Sequence, residues 1–468
     1  MRLLCMTTLL AAACSSTGKP APMDMGPLVH PIAVPAETQR TGDASAGYHA
    51  LVNDGYVGCG VPYSAYSQVF GAAAAEDQIP GRDGDNATLP YTQTAFTQPS
   101  GVEVVTANCL SCHASKLAGK VVIGLGTTTT DFTEDPSSSL ALAGMLLSDP
   151  TEKMELAKFA DRVSAVGPYA LADTVGVTAA DNIAAVLFAH RDPATLAWSD
   201  TPLLSLPSPS DAPGVPVDVP PWWRMKKKNA MFYDGAGRGD QARIMMTAST
   251  LCTDDVADAM AIDAYFGDVR AYIVSLTPPP YPLAVDATLA ARGQAVFVAT
   301  CAGCHGTYGD GGLYPNLMIP VDEVGTDATL AGGAAQFADR FVQWFAESFY
   351  GQTARLDPEP AYYAPPLDGI WATAPFLHNG SVPSLAALLD SSTRPAYWMR
   401  TATDGEGNDF DGTAIGWSYQ AIDAAQAAQV GTRAYDTTRA GYGNGGHTYG
   451  DALGADDRAA LLEYLKTL

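Results

Sequence analysis

The chain carries one short unit twice: Cys-x-x-Cys-His at Cys109, Cys112 and His113, and again at Cys301, Cys304 and His305. Two thiols three positions apart, followed at once by an imidazole, read as covalent attachment of a c-type haem. The thiols add to the vinyl groups and the histidine turns under the iron as an axial ligand. A zinc site needs further Cys or His close by, and a thioredoxin-like site carries no histidine after its second cysteine. The repeat therefore predicts two haem c groups.

Four of the eight cysteines lie outside these units. "MRLLCMTTLLAAAC" places Arg2 before an apolar run that ends in three alanines and Cys14. It reads as a lipoprotein-type signal over 1–14, with Cys14 bearing the lipid, or as an ordinary signal peptide cut nearby. Either form exports the chain. The expected location is the periplasm or cell surface, as an outer-membrane lipoprotein of a Gram-negative bacterium. Cys5 leaves with the signal, so Cys59 and Cys252 remain, as a disulfide or as two buried thiols. No apolar stretch reaches eighteen residues, so a membrane is met only through the lipid anchor. Lys and Arg number 26 against 50 acidic residues, a net charge of −24 that makes nucleic acid and anionic lipid poor partners. The basic run Lys226–Lys228 is either a solvated face or a partner for haem propionates or an acidic protein.

The expected fold is mainly α, two cytochrome c-like haem domains with long irregular loops. The 45 glycines and 33 prolines supply those loops. Residues 15–100 form a tether and an N-terminal loop-rich segment, 101–280 the N-terminal haem domain and 281–468 the C-terminal one. Apolar spacing through Leu289, Ala290, Ala295, Val296 and Val298 predicts a helix leading into the second unit. Asp456 and Asp457 open a closing helix whose apolar face is Leu461, Leu462, Leu465 and Leu468. "DVRAYIVSL" closes the first half before the linker "TPPPYPLAVD". Cys109 to Leu276 spans the same 167 positions as Cys301 to Leu468. On that register His447, in "GNGGHTYG", corresponds to Asp255, so the second unit has a histidine that the first lacks. The seven prolines of 201–221 exclude a helix there. Residues 222–246 are core plus a glycine turn, or the wall of a haem pocket.

"PPLDGIWATAPFLHNGSVPSLAALLD" (365–390) resembles the signature of the bacterial di-haem cytochrome c peroxidase superfamily. "PPWWRMKKKNAMFYDGAGRGD", "CHGTYGDGGLYPN" and "GNGGHTYG" are similar to one branch of it, the haem-dependent rubber oxygenases and their shorter relatives. The resemblance covers roughly 100–468. It implies helical haem domains, His113 and His305 as proximal ligands, and His447 as the distal ligand of the C-terminal haem. Glycines around His447 let the chain lie close to the porphyrin edge. A His/His iron is six-coordinate and low-spin and suits electron storage. His378, Met399 and Met318 are rival ligands, whereas His190 ends an apolar helix.

Together these features predict an oxidoreductase whose N-terminal haem has an open or weakly held sixth position for O2 or peroxide. Trp222, Trp223, Phe232 and Tyr233 line its pocket and the metal is the catalyst. In the oxygenase branch O2 attacks a carbon–carbon double bond in a small apolar substrate, and a redox partner protein is expected. A peroxidase that reduces hydrogen peroxide is one alternative. A non-catalytic electron carrier with both irons saturated is another. The acidic loop "DGEGNDFDG" (404–412) is a Ca2+ site or a solvated loop.

Overall fold

Two pairs of crossed helices frame the molecule in the computed structural model, which describes residues 30–211, 214–402 and 410–468. In the C-terminal half the leading helix Ala287–Thr300 crosses the closing helix Ala455–Leu465. Asp286 caps the first by accepting from the Thr288 and Leu289 amides, and Asp456 and Asp457 sit in the first turn of the second. The crossing is at Gly293, where a Cβ would stand 1.9 Å from the Ala460 carbonyl oxygen. The buried face of the leading helix is Ala290, Gly293 and Phe297. Val298, which the apolar spacing placed on that face, is 54% exposed, because the contact forms around the glycine and not around the β-branched positions.

The N-terminal half repeats the device. Helix Ala44–Asn53, capped by Asp43, crosses Val256–Ser275, capped by Asp255. Here a Cβ on Gly47 would stand 1.9 Å from the Asp268 carbonyl oxygen. The second leading helix runs straight into its Cys-x-x-Cys-His unit, but residues 54–108 intervene in the first. That insertion contributes an antiparallel sheet in which Glu103–Ala107 lies between Val61–Pro62 and Gln93–Thr97. The buried cysteines Cys59 and Cys252 are joined by a disulfide with Cα atoms 5.5 Å apart, tying the insertion to the approach to the closing helix.

The expectation of a mainly α chain needs correction: the fold is mixed, with 42% helix and 13% strand and no barrel among the described residues. The strands are two to five residues long, too short to show alternation in sequence, and several pair with distant segments. Ile32–Ala33 pairs with Leu317–Pro320, which pairs with Ala361–Tyr363, and Gly237–Gly239 pairs with Ala354–Leu356. The halves therefore interlock. Trp344 and Phe345, from the helix Thr329–Glu347, share one core with Leu110, Trp222 and Phe266. No described helix is long and apolar enough to cross a membrane.

Candidate functional site

Both Cys-x-x-Cys-His units fold as the same turn. His305 N donates to Cys301 O at 3.0 Å and Cys304 N to the same oxygen at 3.2 Å. His113 and Cys112 do likewise to Cys109 O, at 3.0 and 3.3 Å. Each turn puts both thiols and the imidazole on one side of a single helical revolution.

At the second unit the turn opens on a cavity walled mainly by apolar side chains, among them Phe297, Ile319, Leu385, Leu461 and Leu465. His305 Nδ1 donates to Pro365 O at 2.8 Å, which fixes the tautomer and leaves Nε2 for a metal. His447 stands across the cavity, its ring centroid 6.1 Å from that of His305. Two imidazole nitrogens bound at about 2 Å on opposite sides of one first-row metal ion place the ring centroids about 6 Å apart. Burial, His305 and Arg394 push the His447 imidazole down to about 3, so it is neutral, the form that binds metal. The residues fit a haem c, which Cys301 and Cys304 would hold through thioethers and His305 and His447 through their imidazoles. Cys301, Cys304, His305 and His447 are half-buried although they lie deep in the protein, because their remaining surface faces the cavity.

The "FLHNGS" turn supports the segment that carries His447. Asn379, fully buried, donates from its amide to Gly441 O and Gly443 O at 2.9 and 3.0 Å, and Ser381 Oγ donates to Gly443 O at 3.1 Å. His378 lines the same cavity, but its ring stacks on Tyr362 and its Nε2 lies 3.1 Å from the Tyr362 hydroxyl. That contact occupies the nitrogen a ligand would use. The Met318 sulfur accepts from Arg238 at 3.1 Å, and Met399 sits in a strand opposite Gln420.

At the first unit Asn108 holds the turn, its Oδ1 accepting from Leu110 N at 2.9 Å. Trp222 stacks on His113, centroids 4.7 Å apart and planes 22° apart. Burial pushes His113 down to about 4, a fall that the nearby Pro220 carbonyl tempers. Cys109, Cys112 and His113 are half-buried at a deep position, as at the second unit. The remaining histidines have other partners: His30 with Glu323 (3.3 Å), His49 with Asp83 (2.9 Å), and His190 with Ser199 O (2.8 Å) while stacked on Trp198.

The four aromatic residues expected around the first unit do not converge there. Trp222 lies against His113 itself. Trp223 points the other way, into the second centre's core with Phe297 and Leu367, and donates to Asp368 O at 2.8 Å. Phe232 is 41% exposed with φ +68°, and Tyr233 lines the second cavity. Neighbouring side chains on a six-residue 3-10 stretch, Trp222–Lys227, diverge, and a glycine turn comes after it, so sequence adjacency does not become a shared wall. The lysine run splits too: Lys226 is exposed, Lys227 pairs with Asp368 at 2.8 Å, and Lys228 donates to Phe232 O at 3.2 Å. The signal segment with Cys14, and residues 404–409 of the acidic loop, lie outside the described residues. Gly412, just beyond them, accepts from the Tyr281 hydroxyl at 3.0 Å.

Sequence reasoning did not single out Asp218 and Arg224. Both are buried at the second cavity, where Asp218 accepts from the Tyr233 hydroxyl at 3.0 Å and Arg224 donates to Asp368 O and Thr373 Oγ1. Their one signal was the Pro220–Pro221 pair beside them. It precedes "WW" as Pro365–Pro366 precedes "LDG", and Pro220 lies by His113 as Pro365 lies by His305.

Residues 361–399 match a family described as RoxA-like, cytochrome c-like. The matched segment holds Pro365, His378 and Asn379 but neither Cys-x-x-Cys-His unit. Two proteins of Sinorhizobium fredii (strain NBRC 101917 / NGR234) are similar to this chain, both named as uncharacterized. Protein y4iM is 28% identical over 300 residues, 54% of this chain and 64% of that protein. Protein y4iJ is 30% identical over 261 residues, 41% of each. The chain thus spans under two thirds of either relative. The family match covers one small segment and not two haem domains; it makes that segment RoxA-like and cytochrome c-like, which supports haem binding.

Proposed function

We propose that the chain is an exported di-haem c-type oxidoreductase with unequal centres. Cys109, Cys112 and His113 would hold one haem with no second histidine on it, leaving it free to take O2 or peroxide, and Cys301, Cys304, His305 and His447 would hold another that would supply electron storage and relay. The observation that carries this reading is the 6.1 Å pairing of the His305 and His447 rings, set against a first centre where each remaining histidine has another partner. When bound, the haem supplies one-electron chemistry and, at an open axial position, reactivity toward O2 or peroxide.

The chain's own residues do the rest. Trp222 restrains the plane of the His113 imidazole, and the Pro365 carbonyl holds the proton on His305 Nδ1. The apolar wall of Phe297, Leu385 and Leu461 excludes water from the second centre. The RoxA-like match agrees with the resemblance to the rubber-oxygenase branch, and that resemblance favours oxidative cleavage of a small apolar olefin over peroxide reduction. A redox partner protein and a lipid anchor at Cys14 complete the proposal.

The test is haem quantitation followed by electron paramagnetic resonance of the oxidised protein. Two haems c per chain are expected, with one high-spin and one low-spin His/His signal. CO should perturb about half of the reduced absorbance, one centre of two. Two low-spin signals that no ligand displaces would leave only an electron carrier, and a single haem per chain would overturn the di-haem reading.

A further inference from the structure

Arg394 spends its entire hydrogen-bonding capacity on five carbonyl oxygens, three of them around His447. Nη1 donates to Asn444 O and Gly446 O, each at 2.7 Å, and Nη2 donates to His447 O at 3.1 Å. The other two bonds go to the end of the short helix Leu385–Leu389, from Nη2 to Leu388 O at 3.0 Å and from Nε to Ala387 O at 3.1 Å. A guanidinium has five donors in a rigid planar fork. All five are engaged, three on the segment that carries the imidazole and two on a wall of the cavity it faces.

That segment needs an external clamp. His447 has φ +46°, a left-handed conformation that non-glycine residues rarely adopt. Gly446 before it has φ +70°, and a Cβ there would stand 2.2 Å from the Gly325 carbonyl carbon. His447 N donates to Val324 O at 2.8 Å, so one side of the ligand residue is anchored. The opposite carbonyls, at 444, 446 and 447, are the ones Arg394 gathers.

We propose that Arg394 is a positioning residue for His447, holding the backbone on which that imidazole reaches the second haem. The inference rests on His447 being the axial ligand. A lysine keeps the charge but cannot reproduce a planar fork reaching five acceptors. Glutamine loses both. Each charge-assisted hydrogen bond lost should make His447 easier to displace by about tenfold.

The experiment compares wild type, Arg394→Lys, Arg394→Gln and His447→Ala as full-length haem-loaded proteins. The readouts are the low-spin resonance of the second haem, its rate of ligand exchange with added imidazole, and hydrogen exchange at 443–447. Both Arg394 variants should exchange imidazole at least about tenfold faster than wild type, with faster hydrogen exchange at 443–447 and an unchanged first haem. Folded variants with unaltered exchange would overturn the proposal. So would selective loss of the second haem in both, since Arg394 would then be holding the fold and not the ligand. His447→Ala separates the failures. If it leaves the low-spin signal intact, the ligand reading is wrong. If it abolishes that signal while the Arg394 variants behave as wild type, only the role of Arg394 fails.

Discussion

The two halves build their thiol–imidazole turns alike and cross their helices alike at a glycine, and they differ on the far side of the imidazole. In the second half a glycine-rich segment brings His447 to 6.1 Å from His305. In the first half the corresponding position is Asp255, which caps a helix by accepting from Asp258 N. On the proposed reading the same device would yield two coordination states, diverging at the segment opposite the turn. A saturated iron suits electron storage and an open one suits chemistry, so this asymmetry is what the proposed function rests on.

Removing one attachment unit at a time should break the comparison most visibly. Cys301→Ser with Cys304→Ser should remove the low-spin signal and leave a species that binds CO. Cys109→Ser with Cys112→Ser should do the reverse. Haem content and paramagnetic resonance read the result; loss of both signals in either variant would mean that the centres are not independent.

The disulfide belongs to the first half alone. Cys59→Ser with Cys252→Ser opens a link across 193 positions and should cost about 2–5 kcal/mol. Thermal unfolding should then show the first haem's absorbance changing before the second's. Simultaneous loss would mean that the shared core of Trp222, Trp344 and Phe345 makes the halves one cooperative unit.

The crossing glycines test the likeness. Gly47→Ala and Gly293→Ala would each gain up to about 1 kcal/mol of helix propensity. Each also drives a Cβ to 1.9 Å from a backbone oxygen, which a packed helix pair cannot relieve without separating. Overpacking of this kind costs about 1–3 kcal/mol, so net destabilisation is expected in both. Each variant should perturb the haem of its own half, which absorbance-monitored unfolding would distinguish.

Much of this plan is legible in residue order alone. The attachment turns come from residue type and spacing, the closing helices from apolar periodicity and from Asp456 and Asp457, and the His447 segment from its glycines. Periodicity shows that a face will be buried but not against what. The leading helix of the first half stayed hidden because residues 54–108 separate it from Cys109. Ile32–Ala33 pairs with Leu317–Pro320, and no local signal marks a partner so distant. The second cavity escaped for the same reason. Asp218, Arg224 and Tyr233 come from the first half of the sequence, and Asn379 acts through carbonyls more than sixty positions away. The four aromatics at 222–233 looked like one wall because they are neighbours in the chain, whereas the turn between them sends them to different places.

Asp218 offers the finest distinction between the centres. Burial pushes its carboxyl up to about 8 from an ordinary 3.8, against the opposing pull of the Tyr233 hydroxyl and Arg224. Between those values the folded protein keeps a proton that the unfolded chain has released. Stability should therefore fall as pH rises from about 4 toward about 8, the reverse of a carboxylate held low by a salt bridge. Asp218→Asn carries no proton to lose and should flatten that slope while leaving the acid limb unchanged. The carboxyl lines the second cavity, so the slope should be visible in the second haem's unfolding and absent from the first's, with unfolding midpoints at successive pH values as the measurement. An identical slope in Asp218→Asn would place the titrating group elsewhere and remove this distinction between the two centres.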